Sequence, residues 1–143
     1  MAKKDTLTRK QAYNKEEYNF TLLGINTPMR DYRLCHEINR VLDISLEKVD
    51  DHCISFGLKM APVGFSKYVF TDTSNFQTIL IQNKSNEHRL IPEMQLADYF
   101  MIFLPYYPGN IEPLHKSLFS IKNVQMVFDI VALKLQHRDN LLF

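Results

Sequence analysis

Between Pro92 and an unbroken apolar run beginning at Tyr99, the chain places two carboxylates in the stretch Ile91-Pro92-Glu93-Met94-Gln95-Leu96-Ala97-Asp98-Tyr99. Paired carboxylates can divide acid and base roles, or hold a divalent cation through their oxygens. Either chemistry needs convergence in a cleft and a partner such as a histidine, a lysine or further acids, and no sequence neighbour supplies one. A structural role asks less. Pro92 breaks the chain, Glu93 accepts backbone N–H bonds from the turn that follows, and Asp98 ties that turn to the strand start. The structural reading of Glu93, Asp98 and Tyr99 leads, a ligand or partner site is its alternative, and no catalytic residue is assigned.

Other residues with chemical potential are scattered. His36, His52, His88, His115 and His137 form no His-x-x-x-His or Glu-x-x-His pair. In Cys35-His36 and His52-Cys53 the neighbours diverge by about 100° on a helix or face opposite ways on a strand, so each pair offers one ligand at most and no metal site is expected. Ser45-Leu46-Glu47-Lys48 has the Ser-x-x-Lys spacing of some acyl-enzymes but lacks their companion motifs. Four glycines, none clustered, leave no phosphate-cradling loop and imply no nucleotide cofactor. Arg30, Arg33 and Arg40 recur at helical intervals, but Asp31 and Glu37 dilute their charge; Arg33 and Arg40 remain secondary candidates for partner contact. Tyr106-Tyr107, on a loop between Pro105 and Pro108, are the leading ones.

These residues need elements to position them. Tyr18–Ile25 reads as a strand ending near Gly24, and Thr27-Pro28 as the start of a helix, with Thr capping and Pro in the first turn. Leu34, Cys35, Ile38, Val41 and Leu42 form the apolar stripe of that helix. His52, Ile54, Phe56 and Leu58 alternate as in a half-buried strand. After the Ala61–Gly64 turn come strands at 65–71 and 76–82, and then a polar turn at Asn83–Asn86. Ala97–Leu104 is apolar on both faces, as in a strand at the middle of a covered sheet. Asn110 caps a helix whose stripe is Ile111, Leu114, Leu118, Phe119 and Ile121, and Val124–Val131 is the last strand.

The order β-α-β-β-β-β-α-β predicts an α+β two-layer sandwich, a mostly antiparallel sheet with two helices on one face. A ferredoxin-like arrangement enlarged by a hairpin is one form of it, with the final two strands parallel. Two helices cover one sheet face only, so the other must be closed by the tails, a long loop or a second subunit; a homodimer through that face is one expectation. The chain also ends in Leu141-Leu142-Phe143, apolar enough to dock.

The 143 residues fit a single domain at 18–143, preceded by a basic stretch, 1–17, read as a mobile tail. With 45% hydrophobic and 23% charged residues the composition is globular, and a formal charge of +1 argues against broad binding to nucleic acid or membranes. No apolar run suits a signal peptide or a membrane span, so the expectation is a cytoplasmic protein whose Cys35 and Cys53 are reduced core thiols.

Along most of its length the chain resembles the bacterial IPExxxVDY family, best known from Bacteroidetes. Ile91-Pro92-Glu93 and Asp98-Tyr99 carry the motif, with Asp31-Tyr32-Arg33-Leu34-Cys35 and Asn140-Leu141-Leu142-Phe143 as further similar segments. Ala97 stands where the motif has valine, a change of packing volume that removes no chemistry. The resemblance implies a small cytoplasmic protein and brings no catalytic residue. The expectation is a non-enzymatic protein-binding or assembly domain; the alternative is a small-molecule-binding regulatory domain with a pocket near Glu93, Asp98 and Tyr99.

Overall fold

The computed structural model describes residues 18–143, so the basic tail expected at 1–17 lies outside the described residues. The fold is α+β. Its strands are β1 (Thr21–Asn26), β2 (Glu47–Ile54), β3 (Val63–Thr71), β4 (Gln77–Gln82), β7 (Tyr99–Leu104) and β8 (Met126–Ile130), and a two-residue pair, β5 (Lys84–Ser85) and β6 (His88–Arg89), stands apart. The helices are α1 (Asp31–Leu42) and α2 (Ile111–Phe119).

The six long strands form one sheet in the order β2-β3-β4-β7-β1-β8, with every neighbouring pair antiparallel. β7 and β8 therefore run parallel, as expected, but with β1 between them, which makes β7-α2-β8 a split β-α-β unit. The quartet β8-β1-β7-β4 has the ferredoxin-like order, and β2-β3 is the added hairpin.

Alternation along β7 divides the core. Tyr99, Met101 and Phe103 face the helices and meet Leu34, Ile38, Leu114 and Leu118, while Phe100 and Ile102 face the other way. That second face is closed by the chain itself. Leu90, Ile91 and Ala97 cover it from the loop before β7, and Ala132, Leu135 and Leu141 cover it from a C-terminal segment with two short 3-10 turns. Leu141 is buried, so the apolar terminus docks as its composition suggests. The core thus gives no reason to invoke a second subunit there.

The bounds of β1, β3, β4, β7 and β8 differ from the sequence reading by one to three residues, and those of β2 and α1 differ most. β2 begins at Glu47, and Leu58 is fully exposed in the loop that follows, because an edge strand carrying Glu47, Lys48, Asp50 and Asp51 needs no buried face. Cys53 is consequently exposed rather than a core thiol, whereas Cys35 is buried; both are free. α1 starts at Asp31 and not at Thr27-Pro28. The Thr27 hydroxyl donates to the Asn123 carbonyl (2.8 Å) and its N–H goes to Asp98, so it caps no helix. Asp31 instead places a carboxylate in the first turn, where the helix dipole favours it, and accepts from Ser66 Oγ and Tyr68 Oη.

The C-terminal segment is pinned at Asn140, whose amide donates to the Leu90 carbonyl and whose own carbonyl accepts from His52 Nε2, both at 2.8 Å. Burial lowers the His52 pKa below the ordinary 6.5; the Asn140 bond opposes this and Lys67 reinforces it. A depressed folded-state pKa means that the unfolded chain takes up the proton first. The stability contributed is therefore complete above pH 6.5 and is lost as pH falls through the folded value. The urea midpoint should drop as pH falls below 6.5, and His52→Gln, which keeps a donor for Asn140, should flatten that limb. An identical pH profile in the variant would rule out His52 as its source.

Candidate functional site

The Ile91–Tyr99 segment is two consecutive turns followed by a strand. Met94 N–H bonds the Ile91 carbonyl and Ala97 N–H bonds the Met94 carbonyl, each at 3.1 Å, and Pro92 takes the second position of the first turn, where its fixed φ fits. Asn83 organises both turns from beneath. It is fully buried; its Nδ2 donates to the Met94 (3.0 Å) and Ala97 (2.8 Å) carbonyls, and its Oδ1 accepts from Ile91 N–H (2.8 Å).

Glu93, Asp98 and Tyr99 do not converge. Asp98 Oδ2 accepts from Thr27 N–H at 2.8 Å, and its own N–H bonds the Ile25 carbonyl, which fixes the β1–α1 linker. Tyr99 Oη donates to the Met29 carbonyl in the same linker at 2.6 Å, and burial, assisted by the charges of Asp31 and Asp98, pushes its phenol pKa up. Glu93 reaches the opposite way, accepting from His137 N–H (2.9 Å) and His137 Nδ1 (2.8 Å). Its burial acts to raise its pKa, but hydrogen bonds from its own backbone N–H and from the backbone and ring of His137 outweigh that and hold it below the ordinary carboxylate range. The two carboxylates are thus anchors for different segments: Asp98 does not tie the turn to the strand, and Glu93 bonds mainly to the C-terminal segment. Asp98→Ala should cost roughly 1–3 kcal/mol in urea unfolding by leaving Thr27 N–H without its acceptor. An unchanged midpoint would show that the linker does not depend on it.

A shallow hollow of about 300 Å³ lies beside Glu93, lined by 92–96 and Phe128, and neither Asp98 nor Tyr99 reaches it. On α1, Arg40 pairs with Glu37 at 2.7 Å, and Arg33 lines an open depression with Tyr32, His36 and Glu37. The opposing charge between the two arginines leaves no uniform basic face.

The Tyr106-Tyr107 loop is different. Together with Phe70, Phe76 and Phe103 these tyrosines line an aromatic cleft of about 200 Å³, floored by Leu42 and Leu114 from the two helices and by Ile44 just after α1. Edge-to-face contacts fix the rings: Phe76 with Tyr106 at 5.7 Å and 82°, Phe103 with Tyr107 at 5.0 Å and 75°. Such pairs hold rings in set orientations. Tyr107 N–H also bonds Thr21 Oγ1 at 2.9 Å, so the loop is tied to β1. Tyr106 remains 54% exposed.

Sequence reasoning found the two tyrosines but not the cleft. Phe70 and Phe76 read as ordinary strand residues, and their meeting with Tyr106 depends on the β3–β4 turn folding beside the β7–α2 loop. Asn83 was equally hidden, because an asparagine after a strand looks like a turn residue. Among the described residues no group of three or more His, Cys, Asp or Glu is placed to hold a metal, and no helix is long and apolar enough to cross a membrane. Comparisons with known proteins find no matching family model and no matching curated protein.

Proposed function

We propose that this chain is a non-enzymatic binding domain of the IPExxxVDY kind that engages a protein partner in the cytoplasm through the aromatic cleft at Tyr106 and Tyr107. The supporting observation is the exposed Tyr106 ring on a largely aromatic and aliphatic cleft built from the two helices, the sheet and their connecting loops. Aromatic residues in a partly formed pocket are typical centres of binding energy. The motif residues offer no rival site, since all three bond to the chain's own backbone, Asp98 and Tyr99 at the β1–α1 linker and Glu93 at the C-terminal segment. That geometry weighs against a metabolite pocket built from the three. The formal charge of +1 weighs against nucleic acid as the main partner.

The test is parallel affinity capture with the tagged wild type and Tyr106→Ala from the cell that makes the protein. A stoichiometric partner should be retained by the wild type and weakened about 30-fold by the variant, the effect of losing about 2 kcal/mol at a central aromatic. Equal recovery with both chains would remove the cleft from the interaction.

A further inference from the structure

The cleft also has a definite electrostatic character. No lysine, arginine or histidine lines it, and its one carboxylate is Asp72, at the end of β3. Asp72 Oδ1 accepts from Ser74 N–H (2.8 Å) and Phe76 N–H (3.0 Å), which closes the β3–β4 turn and fixes the carboxylate at the rim. Oδ2 makes no hydrogen bond or ion pair with the described residues. The faces of the aromatic walls are electronegative as well, because an aromatic ring carries its negative charge above and below its plane. Gln77 and Thr78, the other polar side chains of the lining besides the tyrosine hydroxyls, are uncharged, so an anion entering here finds no cation to pair with and faces the charge of Asp72. A purely apolar group would strip water from Asp72 without giving it a counter-ion.

Size restricts the occupant further. A volume of about 200 Å³ lies below the ~300–1,000 Å³ of sites that enclose a metabolite-sized ligand. It suits a single long side chain. The floor of Leu42, Ile44 and Leu114 offers apolar contact for an alkyl stem, and the rings and Asp72 offer contact for a positive head.

On the reading of the cleft as a protein-binding surface, we infer that the partner anchors there through one basic side chain, arginine or lysine. The stem lies along the aliphatic floor, and the cation sits against the aromatic walls with Asp72 as counter-ion. Arginine has an added advantage, because its flat guanidinium stacks on rings and is less strongly hydrated than an ammonium.

The experiment is amide NMR titration of the full chain with four blocked tripeptides, acetyl-Gly-X-Gly-amide, in which X is arginine, lysine, norleucine or glutamate. The arginine and lysine peptides should shift amides at 70–78 and 103–108, and should bind at least about tenfold more tightly than norleucine, a preference of one counter-ion and its cation–π contacts. The glutamate peptide should leave those amides unmoved. Asp72→Asn keeps the oxygen that closes the turn, so the variant should fold with the wild-type melting temperature and lose most of the preference for a cation. Equal binding of norleucine, binding of glutamate, or no shift with any peptide overturns the inference. Tetramethylammonium chloride binding as tightly as the arginine peptide would also overturn it, by showing that a free ammonium suffices. If the peptides fail while partner capture still depends on Tyr106, the basic anchor falls and the cleft's role in partner binding stands. If the peptides bind as expected while capture ignores Tyr106, the cleft recognises cations but the captured partner docks elsewhere.

Discussion

Asn83→Ala is expected to lower stability by about 3–4 kcal/mol in urea unfolding, because one buried amide satisfies three backbone groups of the turns before β7. Alanine leaves the Ala97 carbonyl and the Ile91 N–H without their Asn83 partner where water is excluded, and leaves the Met94 carbonyl with the Ala97 N–H alone. Asn83→Asp is the sharper companion. It keeps the acceptor for Ile91 N–H but turns an oxygen toward two carbonyl oxygens, so it should be strongly destabilising at neutral pH. The deficit should shrink as pH falls, because the protonated acid can donate again. A loss below about 1 kcal/mol in Asn83→Ala would mean that the turns hold themselves.

Leu141→Ala should cost about 2–5 kcal/mol, the range for truncating a buried leucine that its surroundings cannot refill. Leu141 is 1% exposed and packs with Leu135 and Ala132 on the sheet face opposite the helices. Phe143 is the contrast. Although larger, it is 48% exposed, its ring resting beside His52 and under Lys67, and Phe143→Ala should cost less than about 1 kcal/mol. Similar losses in the two variants would mean that the segment does not close the core as described. A loss at Leu141 near the upper limit would take a large share of the ~5–15 kcal/mol that holds a domain together.

Where local pattern and global position agree, the sequence was legible. β7 alternates apolar residues on both faces because it sits mid-sheet between β4 and β1, and Asn110 caps α2 as its residue type suggests, accepting from Glu112 N–H. The stripe of α1 was equally plain. β2 was misplaced because an edge strand has no hydrophobic period to show: five of its first residues, Glu47 to Asp51, are exposed. The cover on the second face was legible in part: the apolar ending Leu141-Leu142-Phe143 marked a segment that docks, whereas Leu135 is a single apolar residue in a polar stretch, with no repeat to mark it as core. At the motif, chemistry and spacing indicated anchoring carboxylates, but the partners lie far along the chain. Glu93 bonds to His137 and Asp98 to Thr27, separations of 44 and 71 residues, and no local pattern encodes either. The cleft shares this difficulty, being assembled from both helices, three strands and the loops between them.

The strand order also has a consequence for synthesis on the ribosome. β1 is made before the other strands, yet both of its neighbours, β7 and β8, are made last, so Leu22 must wait for Ile102 and Ile130 to emerge. During elongation β2, β3 and β4 can zip as a local meander while β1 has nothing to pair with. The nascent chain therefore carries two unpaired apolar edges, at β1 and at β4, until β7 emerges. Long-range pairings of this kind also slow folding, because the loop must close before any contact rewards it. The vulnerable species is the nascent chain that still lacks β8, and a stall between β7 and β8 would leave Leu22, Leu23 and Ile25 without that neighbour and open to aggregation or to the chaperones that prevent it.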